Sequence, residues 1–234
     1  MGLTSHIFEK TVTKHLNLPY LLYLPQGFEE REATRWPLVV FLHGAGERGE
    51  DLLLVPRHGL IRDVQEGREF PFIILAPQCP VDWTWDRSLD ALDYLLEEII
   101  AAYPIDTERV YLTGLSMGGY GTWHWACHQP QAFAALVPIC GGAMPLMGFP
   151  ARVEAIRHVP TWVFHGDDDQ VVPRQESDKL VAVLQGLQAP IRYTKYAGVG
   201  HNAWSRAYAE TELFPWLLEQ RNMEFRLRGR SVCE

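Results

Sequence analysis

The sequence has no concentrated positive charge, no paired cysteines and no long apolar run. It has 21 Lys and Arg residues against 29 Asp and Glu residues, and the net charge of −8 leaves no excess of basic side chains for nucleic-acid phosphates. The four cysteines are widely spaced and form neither a C-x-x-C pair nor a Cys/His cluster. This spacing predicts reduced thiols and no metal site.

Segments that direct a chain into or across a membrane are also missing. No stretch approaches the roughly 18 apolar residues of a spanning helix, and the amino terminus has no apolar signal-peptide core. We therefore expect no membrane span and a cytoplasmic protein, or a secreted one whose leader has been removed. A hydrophobic content of 47% predicts a single α/β domain, which we place at residues 1–220. Residues 221–234 have no strong hydrophobic period, so a solvated or disordered tail is expected there.

Apolar runs of strand length alternate with helical segments along this domain. Strands are predicted at 36–42, 72–76, 109–112, 134–140, 161–165 and 191–197, with helical segments between them. The alternation predicts a mostly parallel, doubly wound sheet of about eight strands. The remaining two strands, at 6–13 and 18–24, are predicted to form an N-terminal antiparallel hairpin. Only residues 141–160 separate two of the strands, so no substantial lid domain is expected.

The segment 109–129 contains a strand, a G-x-S-x-G pattern and a helix. Gly114, Ser116 and Gly118 form the pattern, which between a strand and a helix is typical of a turn that exposes a nucleophilic serine. The two glycines let strand and helix pass closely, and the helix aims its first amides at the reaction centre. Ser116 is therefore the predicted nucleophile. The alternative is a glycine-rich turn with a capping serine.

A serine nucleophile needs a base, and the base needs a carboxylate to fix its tautomer. His201 is the best-placed base among nine histidines, because it follows Ser116 and lies in a glycine-flanked loop between the last strand and the last helix. The acid is expected between them, at the end of a strand. Three adjacent candidates occur there: Asp167, Asp168 and Asp169.

Two further sets of residues are predicted near this centre. The backbone N–H groups of Ala45, in a glycine-rich loop after a strand, and of Met117, directly after the nucleophile, are the expected oxyanion donors. Trp83 and Trp85 lie in the loop after the strand at 72–76, Trp204 lies just past His201, and all three are candidates for substrate binding. Ordinary core or surface packing is the alternative for all three.

Four motifs occur in a fixed order: L-H-G-A-G-E-R-G at 42–49, G-L-S-M-G-G-Y-G-T-W at 114–123, H-G-D-D-D-Q-V-V-P at 165–173 and G-V-G-H-N-A-W at 198–204. Over about residues 37–220 they resemble the α/β-hydrolase fold. Within it they resemble the compact carboxylesterase group related to feruloyl esterases, polyhydroxybutyrate depolymerases, dienelactone hydrolases and "predicted peptidase" proteins. The resemblance implies that Asp169 is the acid. Ser116 departs from the cysteine of dienelactone hydrolase proper, which argues against dienelactone chemistry.

These observations predict a serine carboxylesterase that hydrolyses short- to medium-chain esters through an acyl-enzyme, without a metal or organic cofactor. Small-molecule or polymer-linked esters are the expected substrates, because a site without a lid is open. A serine peptidase of the same fold is the first alternative. A non-catalytic binding protein of the hydrolase fold is the second.

Overall fold

The computed structural model describes residues 2–29 and 35–227. Within them, seven strands form one sheet in the order β1-β3-β2-β4-β5-β6-β7. Neighbours from β3 to β7 are parallel, and β1 runs antiparallel to β3. The predicted mostly parallel, doubly wound sheet is confirmed. The strands are β1 (Tyr20–Tyr23), β2 (Trp36–Leu42), β3 (Ile73–Pro77), β4 (Ile105–Leu115), β5 (Ala135–Ile139), β6 (Thr161–Gly166) and β7 (Ile191–Tyr196).

Helices cover both faces of the sheet. α2, α3 and α4 pack on one face, and α1, α5 and α6 pack on the other. Alternate residues of β2 enter the two cores, with Val40 in one and Phe41 in the other, which explains why this strand is apolar at every position. The helices are α1 (Gly59–Gln65), α2 (Leu89–Ala102), α3 (Met117–His128), α4 (Gln175–Gly186), α5 (Trp204–Ala209) and α6 (Leu213–Glu219).

The predicted N-terminal hairpin is wrong in its first arm. Residues 2–19 contain no strand, and β1 pairs with β3 so that Tyr20 lies opposite Pro77. The apolar side chains of residues 6–13 do not pack against the sheet: Ile7 and Phe8 are 94% and 87% exposed. A polar and apolar alternation gives a stable strand only where one side is buried. The edge of β3 is therefore covered by a single short strand.

The tail begins with an ordered attachment to the domain. The backbone N–H of Asn222 donates to the carbonyl of Glu108 at 2.8 Å, and the N–H of Arg226 donates to Gln131 at 3.0 Å. Arg221 also contacts the Glu108 carboxylate at 3.0 Å. Residues 221–227 are thus attached to the domain through their backbone, although most of their side chains are exposed. Residues 228–234, including Cys233, lie outside the described residues.

The connection between β5 and β6 contains two short 3₁₀ turns, Pro145–Met147 and Ala151–Ile156. The second turn packs against α3 and α4, and the described connection is too short to form a separate lid domain. Among the described residues, no helix combines the length and hydropathy that crossing a membrane requires.

Candidate active site

The turn between β4 and α3 holds Ser116 in a strained backbone conformation, with φ 54° and ψ −117°. A positive φ is unfavourable for a residue with a side chain, so surrounding contacts must impose it. The N–H of Ser116 donates to the Ile139 carbonyl at 3.0 Å. A Cβ on Gly114 would collide with the Gly118 carbonyl, and a Cβ on Gly118 would collide with the Leu42 carbonyl. Both glycines are therefore sterically required, as the motif predicted.

Ser116, His201 and Asp169 form a continuous hydrogen-bonded chain at the carboxyl edge of the sheet. His201 Nε2 lies 2.8 Å from Ser116 Oγ, and Nδ1 lies 2.7 Å from Asp169 Oδ2. With Asp169 ionised, Nδ1–H donates to the carboxylate and Nε2 is free to accept the serine proton. The three residues follow β4, β7 and β6, so the parallel strands bring them together from distant parts of the sequence.

Asp169 is held in place by backbone as well as by His201. Its Oδ1 accepts hydrogen bonds from the N–H groups of Val171 and Val172, each at 2.9 Å. Burial acts to raise the pKa of Asp169, but the hydrogen bonds from His201, Val172 and Val171 outweigh it and lower the pKa below its usual value. The carboxylate is thus fixed in its charged form.

Neither of the other two acids of the cluster forms a hydrogen bond or ion pair with His201 among the described residues. Asp167 is exposed and pairs with Arg174 at 2.9 Å, at the start of α4. Asp168 is exposed as well, and its backbone N–H donates to the Val199 carbonyl at 3.0 Å. The structure therefore brings Asp169, and neither of its neighbours, to the imidazole.

The His165 ring packs against the Asp169 carboxylate, and this contact was not predicted from the sequence. Its Nε2 lies 2.9 Å from the Val172 carbonyl and 3.3 Å from Asp169 Oδ2, and its Nδ1 lies 2.8 Å from Ser177 Oγ. The ring is fully buried, and burial lowers the pKa of His165, so it packs beside the carboxylate as a neutral group. Its position four residues before Asp169 was the available signal.

The residues predicted to supply the oxyanion donors belong to two segments close to Ser116. Met117 is the first residue of α3, and Ala45 begins a 3₁₀ turn (Ala45–Glu47) directly after the loop that passes Ser116. A Cβ built on Gly44 would lie 3.7 Å from the Cβ of Ser116, which shows how closely that loop approaches. The role of the two amides as donors stays a prediction.

His43 fastens this loop to the rest of the domain. Its Nδ1–H donates to the Gly44 carbonyl at 2.6 Å, and its Nε2 accepts from the Cys79 N–H at 3.0 Å. The His43 carbonyl accepts from Trp85 Nε1 at 2.9 Å. Burial lowers the pKa of His43 to about 4, so the ring is neutral and can serve as donor and acceptor at once.

A cavity of about 280 Å³ opens beside Ser116. Met117, Gly121 and His124 of α3 form one wall, and Trp85, Met144 and Val172 come from three different loops. The wall is mostly apolar, which suits the hydrocarbon part of a small substrate.

The three candidate tryptophans occupy different places. Trp85 is 1% exposed and forms part of the cavity wall. Trp204 packs edge to face against the His201 ring, with 5.4 Å between ring centroids, and so lies behind the base. Trp83 is 36% exposed, and its carbonyl accepts from Arg48 outside the cavity. The structure thus brings one of the three to the cavity itself.

Among the described residues, Cys140, Asp169 and His201 form a cluster of side chains that could ligate a metal ion. The Cys140 sulfur and ligand atoms of Asp169 and His201 all lie within 4.8 Å of one another. However, burial raises the pKa of the Cys140 thiol far above its ordinary value, so the sulfur stays protonated. A protonated thiol is a poor metal ligand, and the two other groups already bond to each other.

Residues 81–214 match a protein family described as phospholipase/carboxylesterase. This range contains Ser116, Asp169 and His201, the three residues of the hydrogen-bonded chain. The chain belongs to the phospholipase/carboxylesterase family. The resemblance stated from the four motifs is therefore confirmed.

Individual relatives agree with this assignment. A poly(3-hydroxyoctanoate) depolymerase from Pseudomonas fluorescens is 33% identical over 72% of this chain and 69% of its own length. A bifunctional acetylxylan esterase/xylanase from Neocallimastix patriciarum is 34% identical over 57% of this chain and 19% of its own length. The crystal structure of a thermostable esterase matches with 37% identity and a TM-score of 0.75. The match covers 87% of this chain and 59% of the esterase chain.

Proposed function

We propose that this protein is a serine carboxylesterase that hydrolyses short- to medium-chain carboxylic esters through an acyl-enzyme. The observation that carries the proposal is the continuous chain of hydrogen bonds from Ser116 Oγ through His201 to Asp169. Membership of the carboxylesterase family supports the same reaction.

In the first half of the reaction, Ser116 Oγ attacks the ester carbonyl while His201 Nε2 accepts the hydroxyl proton. The negative charge that develops on the carbonyl oxygen is received by the N–H groups of Ala45 and Met117. Removing one such donor typically costs about 10² to 10³ in kcat. The intermediate collapses when His201 returns its proton to the leaving alcohol, and the acyl group stays on Ser116.

In the second half, water takes the place of the alcohol. His201 accepts a proton from the water, the hydroxide attacks the acyl carbonyl, and the same amides receive the oxyanion. Asp169 stays ionised throughout and stabilises the imidazolium that forms in each half. The lowered pKa of Asp169 supports this role.

The preference for small acyl or alcohol groups rests on the size of the cavity. The volume of about 280 Å³ lies just below the usual range for ligand pockets, which begins at about 300 Å³. Without a lid domain the site is open at its mouth, so a small group that enters the cavity can be attached to a larger molecule or to a polymer. The relatives' names, a polyester depolymerase and an acetylxylan esterase, support polymer-linked esters as one substrate type.

A panel of p-nitrophenyl esters from C2 to C16, measured beside aminoacyl p-nitroanilides, tests the proposal. We expect turnover of esters with a preference for C2 to C6 over C12 and longer, and no rise in rate at an oil interface. Turnover of anilides alone would favour a peptidase. If neither class reacts and a fluorophosphonate fails to label Ser116 by mass spectrometry, the protein is a binding protein of the hydrolase fold.

A further inference from the structure

His58 contacts side chains from two segments that carry parts of the candidate active site. Its Nε2 lies 3.6 Å from Glu47 Oε1, at ion-pair distance, and its ring packs against Trp204 with 5.4 Å between ring centroids. Trp204 in turn packs edge to face against His201, also with 5.4 Å between centroids. A row of three side chains, which we call the His58 bridge (Glu47, His58 and Trp204), therefore joins the turn Ala45–Glu47 to the imidazole of His201.

At one end of the bridge, the Glu47 carboxylate lies against the backbone of its own loop. Glu47 is 3% exposed, and its Oε2 lies 3.1 Å from the position that a Cβ on Gly44 would occupy. Within the part of the chain that the structure describes, its ion-pair partners are His43, at 3.9 Å, and His58. The His43 ring is neutral and both its nitrogens are already hydrogen-bonded, so His58 is the partner left for the carboxylate. Burial raises the pKa of Glu47, and a positive charge on His58 opposes that rise more than any other group does.

The backbone next to His58 is packed tightly against the core. Gly59, the first residue of α1, has φ +70°, and a Cβ at this position would collide with the Phe41 ring and lie 3.2 Å from Leu115 Cδ2. Leu115 is the last residue of β4 and directly precedes Ser116. The segment that carries His58 is thus anchored beside the end of β4, although 43% of the His58 side chain is exposed.

The reaction proposed above requires both loops to act at the same time. While His201 accepts the proton of Ser116, the N–H of Ala45 must already face the charge that develops on the carbonyl oxygen. A displacement of about 1 Å between groups that act together can cost about 10² in rate.

We propose that His58 is a positioning residue, which holds the loop bearing Ala45 and the loop bearing His201 in one relative arrangement. This inference rests on the proposed esterase function and concerns the geometry of the same site. His58 acts through Glu47 and Trp204, and it is not part of the wall of the cavity beside Ser116.

Kinetics of His58 variants with p-nitrophenyl butyrate test the proposal. His58→Ala removes both contacts of the ring, and we expect kcat to fall about tenfold while KM changes by less than about twofold, because the cavity wall is intact. His58→Phe keeps a ring against Trp204 and loses the contact with Glu47, so it should recover only part of the loss. His158→Ala makes the matched change at an exposed histidine that contacts Pro130, and should keep the wild-type kcat. Thermal unfolding of each variant checks that the fold is retained.

A double-mutant cycle across the bridge separates positioning from simple stabilisation. Glu47→Gln and Trp204→Phe change its two ends, and either change releases the same bridge. The loss in kcat of the double variant should therefore be smaller, by about threefold or more, than the product of the two single losses. In the His58→Ala background, where the bridge is already broken, the two losses should multiply. A residue that only stabilises the surface would change the melting temperature and leave kcat unchanged.

Each outcome either supports or overturns the inference. A wild-type kcat in folded His58→Ala, with esters clearly hydrolysed, would overturn it and leave the esterase proposal intact. Losses for Glu47→Gln and Trp204→Phe that multiply in the presence of His58 would also overturn it, because the two loops would then be independent. Should buried Glu47→Gln not fold, the kcat of His58→Ala decides alone. Hydrolysis of no ester by the wild-type protein would overturn the esterase function, and this inference with it.

Discussion

Acidification is expected to destabilise the protein through His43, which fastens the loop bearing Ala45. The Nε2 of His43 accepts a hydrogen bond from Cys79, so protonation of this nitrogen would break the contact. Burial lowers the pKa of His43 from 6.5 to about 4 in the folded chain. Below pH 6.5 the His43 ring is therefore protonated in the unfolded chain. In the folded chain it stays neutral until the pH falls to about 4. Stability is lost across this interval and is unaffected by His43 above it.

The size of the effect follows from the same interval. A difference of about 2.5 pH units corresponds to about 3 kcal/mol of unfolding free energy. Buried His124 and His165 also have lowered pKa values and add to the loss in the same direction, so the contribution of His43 must be isolated by difference. His43→Gln retains a side-chain acceptor without a titrating ring. We expect this variant to lose about 3 kcal/mol less than the wild type between pH 7 and pH 4.

Urea unfolding, followed by tryptophan fluorescence at several pH values from 7 to 4, measures this difference. His158→Gln is the matched control, because it removes an exposed histidine by the same exchange, and its profile should follow the wild type. Parallel profiles for wild type and His43→Gln would refute the reasoning. They would mean that His43 is protonated in the folded chain, paired with Glu47, whose carboxylate lies 3.9 Å away.

Three further predictions concern the catalytic centre. Ser116→Ala should reduce esterase kcat by about 10⁶ while urea unfolding stays cooperative, since the loss is chemical; activity near that of the wild type would place the nucleophile elsewhere. Asp169→Asn should reduce kcat by about 10⁴, whereas Asp167→Asn, which removes only an exposed pair with Arg174, should cost tenfold or less; equal losses would indicate a structural cluster of acids. Trp85→Ala should lower kcat/KM and also destabilise the fold by about 3 to 5 kcal/mol in urea unfolding, because the side chain is 1% exposed; unchanged stability would contradict its burial.

The parts of the molecule that the sequence predicts well are those in which the backbone itself limits the choice of residue. Gly114 and Gly118 could be predicted because the turn leaves no space for a Cβ at either position. The strands could be predicted because a sheet covered on both faces requires apolar residues at consecutive positions, as in β2. Chain order and motif spacing then brought Ser116 and His201 together, and the motif resemblance selected Asp169.

Features that depend on contacts between distant segments could not be predicted in this way. The alternation in residues 6–13 resembles a strand, but whether a sheet face is free to receive it is decided by the rest of the chain. The tail has no clear period, yet Asn222 and Arg226 pair with backbone groups of the domain. The cavity wall was also hidden, because Asp86 and His124 come to line one cavity only when the turn Trp85–Arg87 packs against α3.

The geometry of the hydrogen-bonded chain Ser116–His201–Asp169 comes from the direct packing of the loop that carries Asp169 against the loop that carries His201. The N–H groups of Asp167 and Asp168 donate to the carbonyls of Tyr196 and Val199, each at 3.0 Å, so β6 and β7 stay joined beyond their last paired residues. At Gly166 a Cβ would collide with the carbonyls of Val199 and Gly200. This glycine lets the loop that carries His201 lie directly on the loop that carries Asp169. The 2.7 Å contact between acid and base is therefore set by backbone packing, which holds the imidazole in one orientation before any ester arrives.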